Sequence, residues 1–477
     1  MIIYVVMRSA IFVFRRDLRI HDNHALNELG RGGKTCVMPV FLMDPDQVTR
    51  NDHNRYYFSH NALQYMCESL VDLDNDLHAK YGSRLRILYG SPTETLEQCI
   101  KGLRPDCVAW NADYSKRALE RDRRLREICE ERGVQVVVSD SDMSLHPVAE
   151  LGKADGQPYR QFSSFLKHAR ALGAPRAPAR LHNVTFFPGK GPLVLPISYP
   201  SRSLAQRGGR REALRALARS RGLRDYDKTR NLLAHPTSQL SGALNFGCLS
   251  VREVCEQSEL SSAFAEQLYW RDFFLQLAAL DPRSRSFRRH MDTSFDRIRW
   301  RTNEEVIKRE VEKLWSCRTG FLLVDAGMSE MLKTGFMHNR ARMLVGNFWT
   351  KYLRIHILHP RFGSQVGFSS QLLDAVGPSQ NKLNHHWITE LDYAGRRYAP
   401  KGNALAGRPM DISNKMIRKF DPTGAYIKRW LPHLARFTVK ELVAWRGDGG
   451  SHPGPMFDAR ERYQEWVEAC RGASRKK

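Results

Sequence analysis

The chain has 477 residues, 42% of them hydrophobic, which supplies two or three ordinary cores, and no uninterrupted apolar run approaches membrane-spanning length. Its 75 Lys and Arg against 51 Asp and Glu give a net charge of +24 and a pI near 9.8. That excess favours a polyanion such as nucleic acid, the alternative being a merely solvated basic surface. Nine cysteines (36, 67, 99, 107, 129, 248, 255, 317 and 470) form no Cys-x-x-Cys pair, which argues against a disulfide framework and a zinc site. A reducing intracellular compartment, cytoplasm or nucleus, is expected.

In chain order, Met1–Arg8 is apolar, but Arg8 and then Arg15-Arg16 interrupt it, so it reads as the lead-in to a buried strand and not as a signal peptide. Met7 is a second candidate start. Five short Val- and Ile-rich runs follow at 11–16, 36–44, 85–90, 107–111 and 134–140, separated by amphipathic segments, with helices expected over 61–81 and 115–132. The alternation predicts a Rossmann-like parallel sheet with helices on both faces across residues 1–140. From 141 to 205 the periodicity fades and breakers accumulate (Ala174-Pro175-Arg176-Ala177-Pro178, Phe187-Pro188-Gly189), which predicts a long surface linker. Residues 206–434 read as mainly helical, and 435–477 as a short basic extension. The Arg-rich stretch 206–224 is either a solvated helix face or a phosphate-facing one.

The densest chemistry lies between Trp315 and Met343. Apolar positions recur there at helical spacing, yet the same face carries Asp325, His338, Asn339, Arg340 and Arg342. Polar groups in a core need partners, so this is either an internal polar network or the wall of a site for a polar molecule. Upstream, Thr237-Ser238-Gln239-Leu240-Ser241 follows His235-Pro236, where a helix can begin; the hydroxyls there cap the helix or hold an anion. Gln267, Trp270 and Arg271 share a helical face by their i, i+3, i+4 spacing.

Trp315-Ser-Cys-Arg-Thr-Gly with Asp325-Ala326-Gly327-Met328, then Met337-His338-Asn339-Arg340-Ala341-Arg342-Met343, resembles the flavin-binding half of the photolyase/cryptochrome family. The segment 237–252, Gln267-Leu268-Tyr269-Trp270-Arg271-Asp272-Phe273-Phe274, and Phe14-Arg15-Arg16-Asp17-Leu18-Arg19 with Asp22-Asn23 resemble further signatures of that family, over about residues 9 to 434. The resemblance implies an α/β + all-α fold, the parallel-sheet domain being joined by the linker to an all-helical FAD-binding domain. It implies FAD held by Tyr226, Thr237, Ser238, Gln239, Leu240, Ser241, Gln267, Arg271, Asn339, Arg342, Asp374, Ala375, Val376 and Gln380. An antenna chromophore of folate or deazaflavin type is implied as a second cofactor, near 14–19 and 111–114, although both segments also read as closing the sheet's strand ends. UV-damaged DNA is the implied partner, contacted by Arg230, Trp270, Asn339, Arg340 and Trp387; Arg396 and Arg397, next to Tyr398 in a segment that departs from the family pattern, suit a DNA-facing loop or an exposed basic turn, and a monomer with no obligate protein partner is expected. Gln267, Trp270, Asn339 and Met343 are the expected catalytic positions, for light-driven splitting of cyclobutane pyrimidine dimers flipped out of the duplex.

Several positions depart from the family pattern. Gln267 replaces the glutamate usual in cyclobutane-dimer photolyases, and glutamine supplies neither proton nor charge. Asn339 and Met343 stand where (6-4) photolyases carry catalytic histidines, which disfavours that chemistry. Of the three tryptophans that commonly reduce the flavin, Trp300 matches the outer one, while Ile357 and Asn384 occupy the other two places. Trp349, Tyr352, Trp387 and Tyr393 are candidates for a different relay, or for packing. A cryptochrome-type photoreceptor and a (6-4) photolyase remain the alternatives.

Overall fold

The computed structural model describes residues 7–49, 58–199, 201–221, 223, 225–257, 262–285, 290, 293–369, 371–374, 389 and 410–474. The chain divides into two compact units, one comprising 1–202, 206–224 and 238–281, the other 203–205, 225–237 and 282–477.

The first unit is built on six parallel strands: β1 (Arg8–Phe14), β2 (Thr35–Met43), β3 (Arg86–Tyr89), β4 (Cys107–Asn111), β5 (Gln135–Ser139) and β6 (Val184–Phe186). The order is β3-β2-β1-β4-β5, with β6 pairing the start of β2 through Thr35↔Val184 and Val37↔Phe186. Ile11 faces Met38 on one side and Val108 on the other. Helices cover both faces of such a sheet, so its strands are apolar runs without alternation, and the five predicted runs are β1–β5. Ile11, Val13, Met38, Val40, Val108 and Trp110 form one core with Leu96, Ile100 and Leu125 from the flanking helices. Helix His60–Tyr81 is capped by the Ser59 hydroxyl, which accepts from Ala62 N–H, and stops at Gly82 in the left-handed region (φ 63°).

The stretch 141–205 holds more structure than its breakers predict. Besides β6 it contains helix Phe162–Ala171, which buries Phe165 and Ala169. Three strand residues and ten helical ones are too few to impose a legible period. Helices Arg210–Ser220, Val251–Glu256 and Ser262–Leu280 also cluster with this unit, so the division does not fall at residue 205.

The second unit is helical. Glu304–Trp315, Leu322–Thr334 and Asn339–Asn347 are its longer central helices, and the last runs on into a π-helical turn, Phe348–Tyr352. Leu322, Met328, Leu344, Phe348, Trp349 and Ile427 share its main core. The stretch 435–477, read from sequence as a basic extension, is instead integral to the unit. It carries helices Val439–Val443 and Ala459–Ser474, and Trp445 and Trp466 are buried. Trp466, Ala469, Cys470 and Ala473 pack with Phe295, Ile298 and Ile357 in a second core. Among the described residues no helix is long and apolar enough to cross a membrane.

Candidate functional site

The polar residues of the 315–343 segment divide into two sets. Asp325 is fully buried and spent on the fold: it accepts from Thr319 N–H (3.0 Å), Thr319 Oγ1 (2.7 Å), Gly320 N–H (2.9 Å) and His452 Nε2 (3.0 Å). Gly320, at φ 76°, has the Gly454 carbonyl where a Cβ would stand, so this loop tolerates no side chain. His338 is the N-cap of helix Asn339–Asn347, its Nδ1 accepting from Arg340 N–H (3.1 Å), while its own N–H donates to Glu330 (3.0 Å). Burial first, then the nearby charges of Arg340 and Arg342, push its imidazole down to about 4, so it is neutral at pH 7. Nδ1 is thereby the acceptor, Nε2 carries the proton, and Nε2 has no hydrogen-bond partner among the described residues.

The second set points outward. Asn339 is exposed, one residue beyond the cap. Arg340 donates from Nε to Asn231 Oδ1 (2.7 Å) and lies against Met343 Sδ (3.1 Å). Burial, and then the like charge of Arg230, lower its guanidinium's proton affinity. Among the described residues neither Arg230 nor Arg340 has a carboxylate partner, so Tyr226, Arg230 and Arg340 form an uncompensated positive rim. Arg342 is the opposite case. Its two Nη atoms grip Asp374 (3.1 and 2.9 Å), and its Nε donates to the Met337 carbonyl (2.8 Å). This two-pronged, half-buried pair holds a fixed positive group against a carboxylate.

In the first unit, helix Ser262–Leu280 presents Gln267, Trp270 and Arg271. The Gln267 amide nitrogen donates to the Ala263 carbonyl one turn back (3.1 Å), which leaves its oxygen as the acceptor. Trp270 is half-buried, and Phe162 stacks flat on it (3.6 Å between centroids, 7° between planes). Phe162 was missed because it lies in the breaker-rich stretch. Arg271 donates to the Met143 and Leu244 carbonyls, and burial lowers its pKa to about 10. Beside it the Asp272 carboxyl, fully buried, is raised by desolvation to about 7 against the opposing pull of Arg271 and the Leu145 N–H.

The amino-terminal signature is an internal network. Arg19, fully buried, donates to the Gly247 and Asp22 carbonyls and to Asp142 (2.6 Å). Arg252 reaches Asp22 Oδ2 (2.9 Å) and the Ser141 and Ser144 carbonyls (2.7 Å each). Asn111 donates to Asp17 and Asn23 and accepts from Ala25 N–H at the ends of β1 and β4. These bonds tie strand ends together, the second of the two roles open from sequence.

The relay candidates Trp300 and Trp349 fall into two different cores. Trp300 packs on Trp466 (5.6 Å) and stacks on His290 (5.5 Å), whereas Trp349 meets Trp315 edge-on (5.9 Å) and donates to the Phe362 carbonyl (2.7 Å). Trp466 was missed with the rest of its helix; the spacing of Trp466, Ala469, Cys470 and Ala473 was its signal. His290 and His356 both face Asp296 Oδ1 (2.6 and 3.7 Å), and Leu358 N–H donates to His356 Nδ1 (3.1 Å). His290 therefore hydrogen-bonds the carboxylate, while His356 Nε2 stands just beyond hydrogen-bond distance of it. That is a hydrogen-bonded brace beside Trp300, since a metal's donor set would need a lone pair at His356 Nε2.

Residues 375–388, 390–409 lie outside the described residues, and with them Ala375, Val376, Gln380, Trp387, Arg396 and Arg397. For the anion-holding loop, the structure gives a fit. Thr237, Ser238, Gln239 and Ser241 are half-buried, Gln239 adopts the left-handed region (φ 53°), and their side chains make no hydrogen bond to described protein groups. Unspent donors at partly buried positions are what a polyoxygen ligand requires.

The parallel α/β sheet and the helical unit agree with what known proteins show. Residues 10–182 match the family described as DNA photolyase, and 264–472 match the FAD binding domain of DNA photolyase. The chain belongs to the photolyase/cryptochrome family, and its cofactor is FAD. It is 27% identical to a deoxyribodipyrimidine photo-lyase of Synechococcus sp., covering 91% of this chain and 90% of that one. It is 29% identical to cryptochrome-2 of Arabidopsis thaliana, covering 91% and 72%. In fold it is similar to the archaeal photolyase of Sulfolobus tokodaii crystallised with two FAD molecules (TM-score 0.81, 28% identity, 97% and 99% covered).

Proposed function

We propose that this chain repairs cyclobutane pyrimidine dimers in DNA by light-driven electron transfer. The observation that carries the reading is the protonic poverty of helix Asn339–Asn347. Asn339 and Met343 do not ionise, and the adjacent imidazole of His338 is neutral and tied down as a helix cap. Acid–base repair of (6-4) lesions needs a proton donor at those places; splitting a cyclobutane ring by electron donation and return needs none. Bound FAD, reduced and excited by light, supplies the electron and takes it back.

The chain's own residues position and tune. Thr237, Ser238 and Ser241 hold the pyrophosphate, and Arg342, clamped by Asp374, offers a fixed positive group that favours an anionic reduced flavin. Trp270, braced from behind by Phe162, gives the flipped lesion a stacking face. Asn339 and the Gln267 oxygen offer neutral hydrogen bonds, and Arg230 and Arg340 meet the phosphates beside the lesion. A second chromophore, of flavin, folate or deazaflavin type, is supported by the second FAD of the Sulfolobus tokodaii photolyase.

The deciding experiment is repair of an oligonucleotide with one thymine cyclobutane dimer under blue light, flavin reduced beforehand, with a dark control. Light-dependent loss of the dimer is the expected result. An unchanged dimer, or loss of a (6-4) lesion instead, overturns the assignment in favour of a photoreceptor or a (6-4) photolyase.

A further inference from the structure

The second unit contains a cavity of about 440 Å³, on the scale of small-ligand sites, that no residue named so far for FAD or DNA lines. Trp315 and Trp430 give it indole walls, Arg318, Lys333 and His433 bring nitrogen donors to its lining, and His452 backs His433. Two of its cations are unpaired among the described residues. Arg318 bonds only the Ser451 carbonyl (3.2 Å), Lys333 is exposed, and neither has a carboxylate partner among the described residues. The Trp430 Nε1–H is buried with no acceptor among the described residues, an unmet donor in a native fold.

Behind the cavity runs a chain of three groups. His433 Nε2 lies 3.1 Å from His452 Nδ1, and His452 Nε2 lies 3.0 Å from the buried Asp325. Because both Asp325 oxygens already accept from Thr319 and Gly320, His452 Nε2 is the donor to it, and one proton is shared between the two rings. His433 thus changes its outward nitrogen between acceptor and donor as it gains a proton. Cys317, also on the wall, is pushed up to about 12 by burial, so its thiol is not a nucleophile.

We propose that this cavity binds a planar anion of mononucleotide size, an aromatic ring bearing a phosphate. The ring lies against Trp315 and Trp430, and the phosphate meets Arg318, Lys333 and protonated His433. The groups facing His433 set its response. Burial, His452, Arg318 and Lys333 all lower its proton affinity, and only Asp448 raises it. An arriving dianion reverses that balance, so binding takes up a proton and tightens as pH falls.

The test uses FAD-loaded full-length protein, with AMP and FMN as probes and inorganic phosphate as the ring-free comparison, read by equilibrium dialysis at pH 8 and pH 6. Saturable one-to-one binding of AMP or FMN is expected, at least tenfold tighter than phosphate and tighter at pH 6. Lys333→Glu and Arg318→Glu each weaken it at least tenfold, and His433→Gln removes the pH dependence. Arg219→Glu, on a separate helix, leaves it unchanged. Absence of saturable binding overturns the proposal. So does binding lost on Arg230→Glu but retained on Lys333→Glu, which would assign it to the DNA-facing rim.

Discussion

Two pairs of arginines in this molecule are handled in opposite ways. Arg19 and Arg252, in the α/β unit, are buried to within 2% exposure and meet two aspartates and several backbone carbonyls. Arg230 and Arg340, in the helical unit, stand near each other with no carboxylate partner among the described residues. Like charges left together oppose folding, so such a pair persists where an anion will complete it. A net charge of +24 is therefore uninformative until each cation's partner is known.

Breaking the buried pair has the largest expected effect. Arg252→Ala leaves Asp22 buried and unmatched, and should cost about 3–5 kcal/mol in denaturant unfolding. A loss under about 1 kcal/mol would mean that the network is dispensable. On the ligand side, Trp270→Ala should weaken binding of a dimer-containing oligonucleotide by about 1–3 kcal/mol, with undamaged DNA little affected. Equal loss for both DNAs would move Trp270 from the lesion to general packing.

Asp272 sharpens the contrast, being a buried carboxyl with an inadequate partner. Its folded pKa, raised to about 7, exceeds its unfolded value near 3.8, so the folded state binds the extra proton. The stability that proton contributes is present below pH 4 and is lost as pH rises through 7. Asp272→Asn removes that slope while keeping an acceptor for Leu145 N–H, so its melting temperature relative to wild type should climb between pH 5 and pH 8. A constant difference across that range would place the titration elsewhere. The smallest effect on stability is expected for Arg340→Ala, within about 0.5 kcal/mol. That variant should still lower the slope of log affinity against log salt for DNA by about one; an unchanged slope would remove Arg340 from the phosphate contacts.

Much of the sheet was legible because strands covered on both faces are apolar through their centres, as β1, β2 and β4 are. The ends of the chain of inference were harder. β6 and the helix at Phe162 are too short to show a period, and helix Ala459–Ser474 hides four buried residues among charges. The pairing of Asp22 with Arg252 was not legible, because sequence cannot show that opposite charges over two hundred residues apart meet in a core. The 315–343 segment answered its own question twice: Asp325 and His338 serve the fold, Asn339 and Arg340 face outward. Periodicity places all four on neighbouring turns, and only the partner of each atom separates them.

The cap at His338 has a consequence for how this chain can change. Its imidazole is the group nearest to where a proton donor would serve a different lesion, yet protonating it would withdraw the lone pair that starts helix Asn339–Asn347. A drift toward acid–base repair would have to install new histidines at 339 or 343. The one already next door is mortgaged to the backbone.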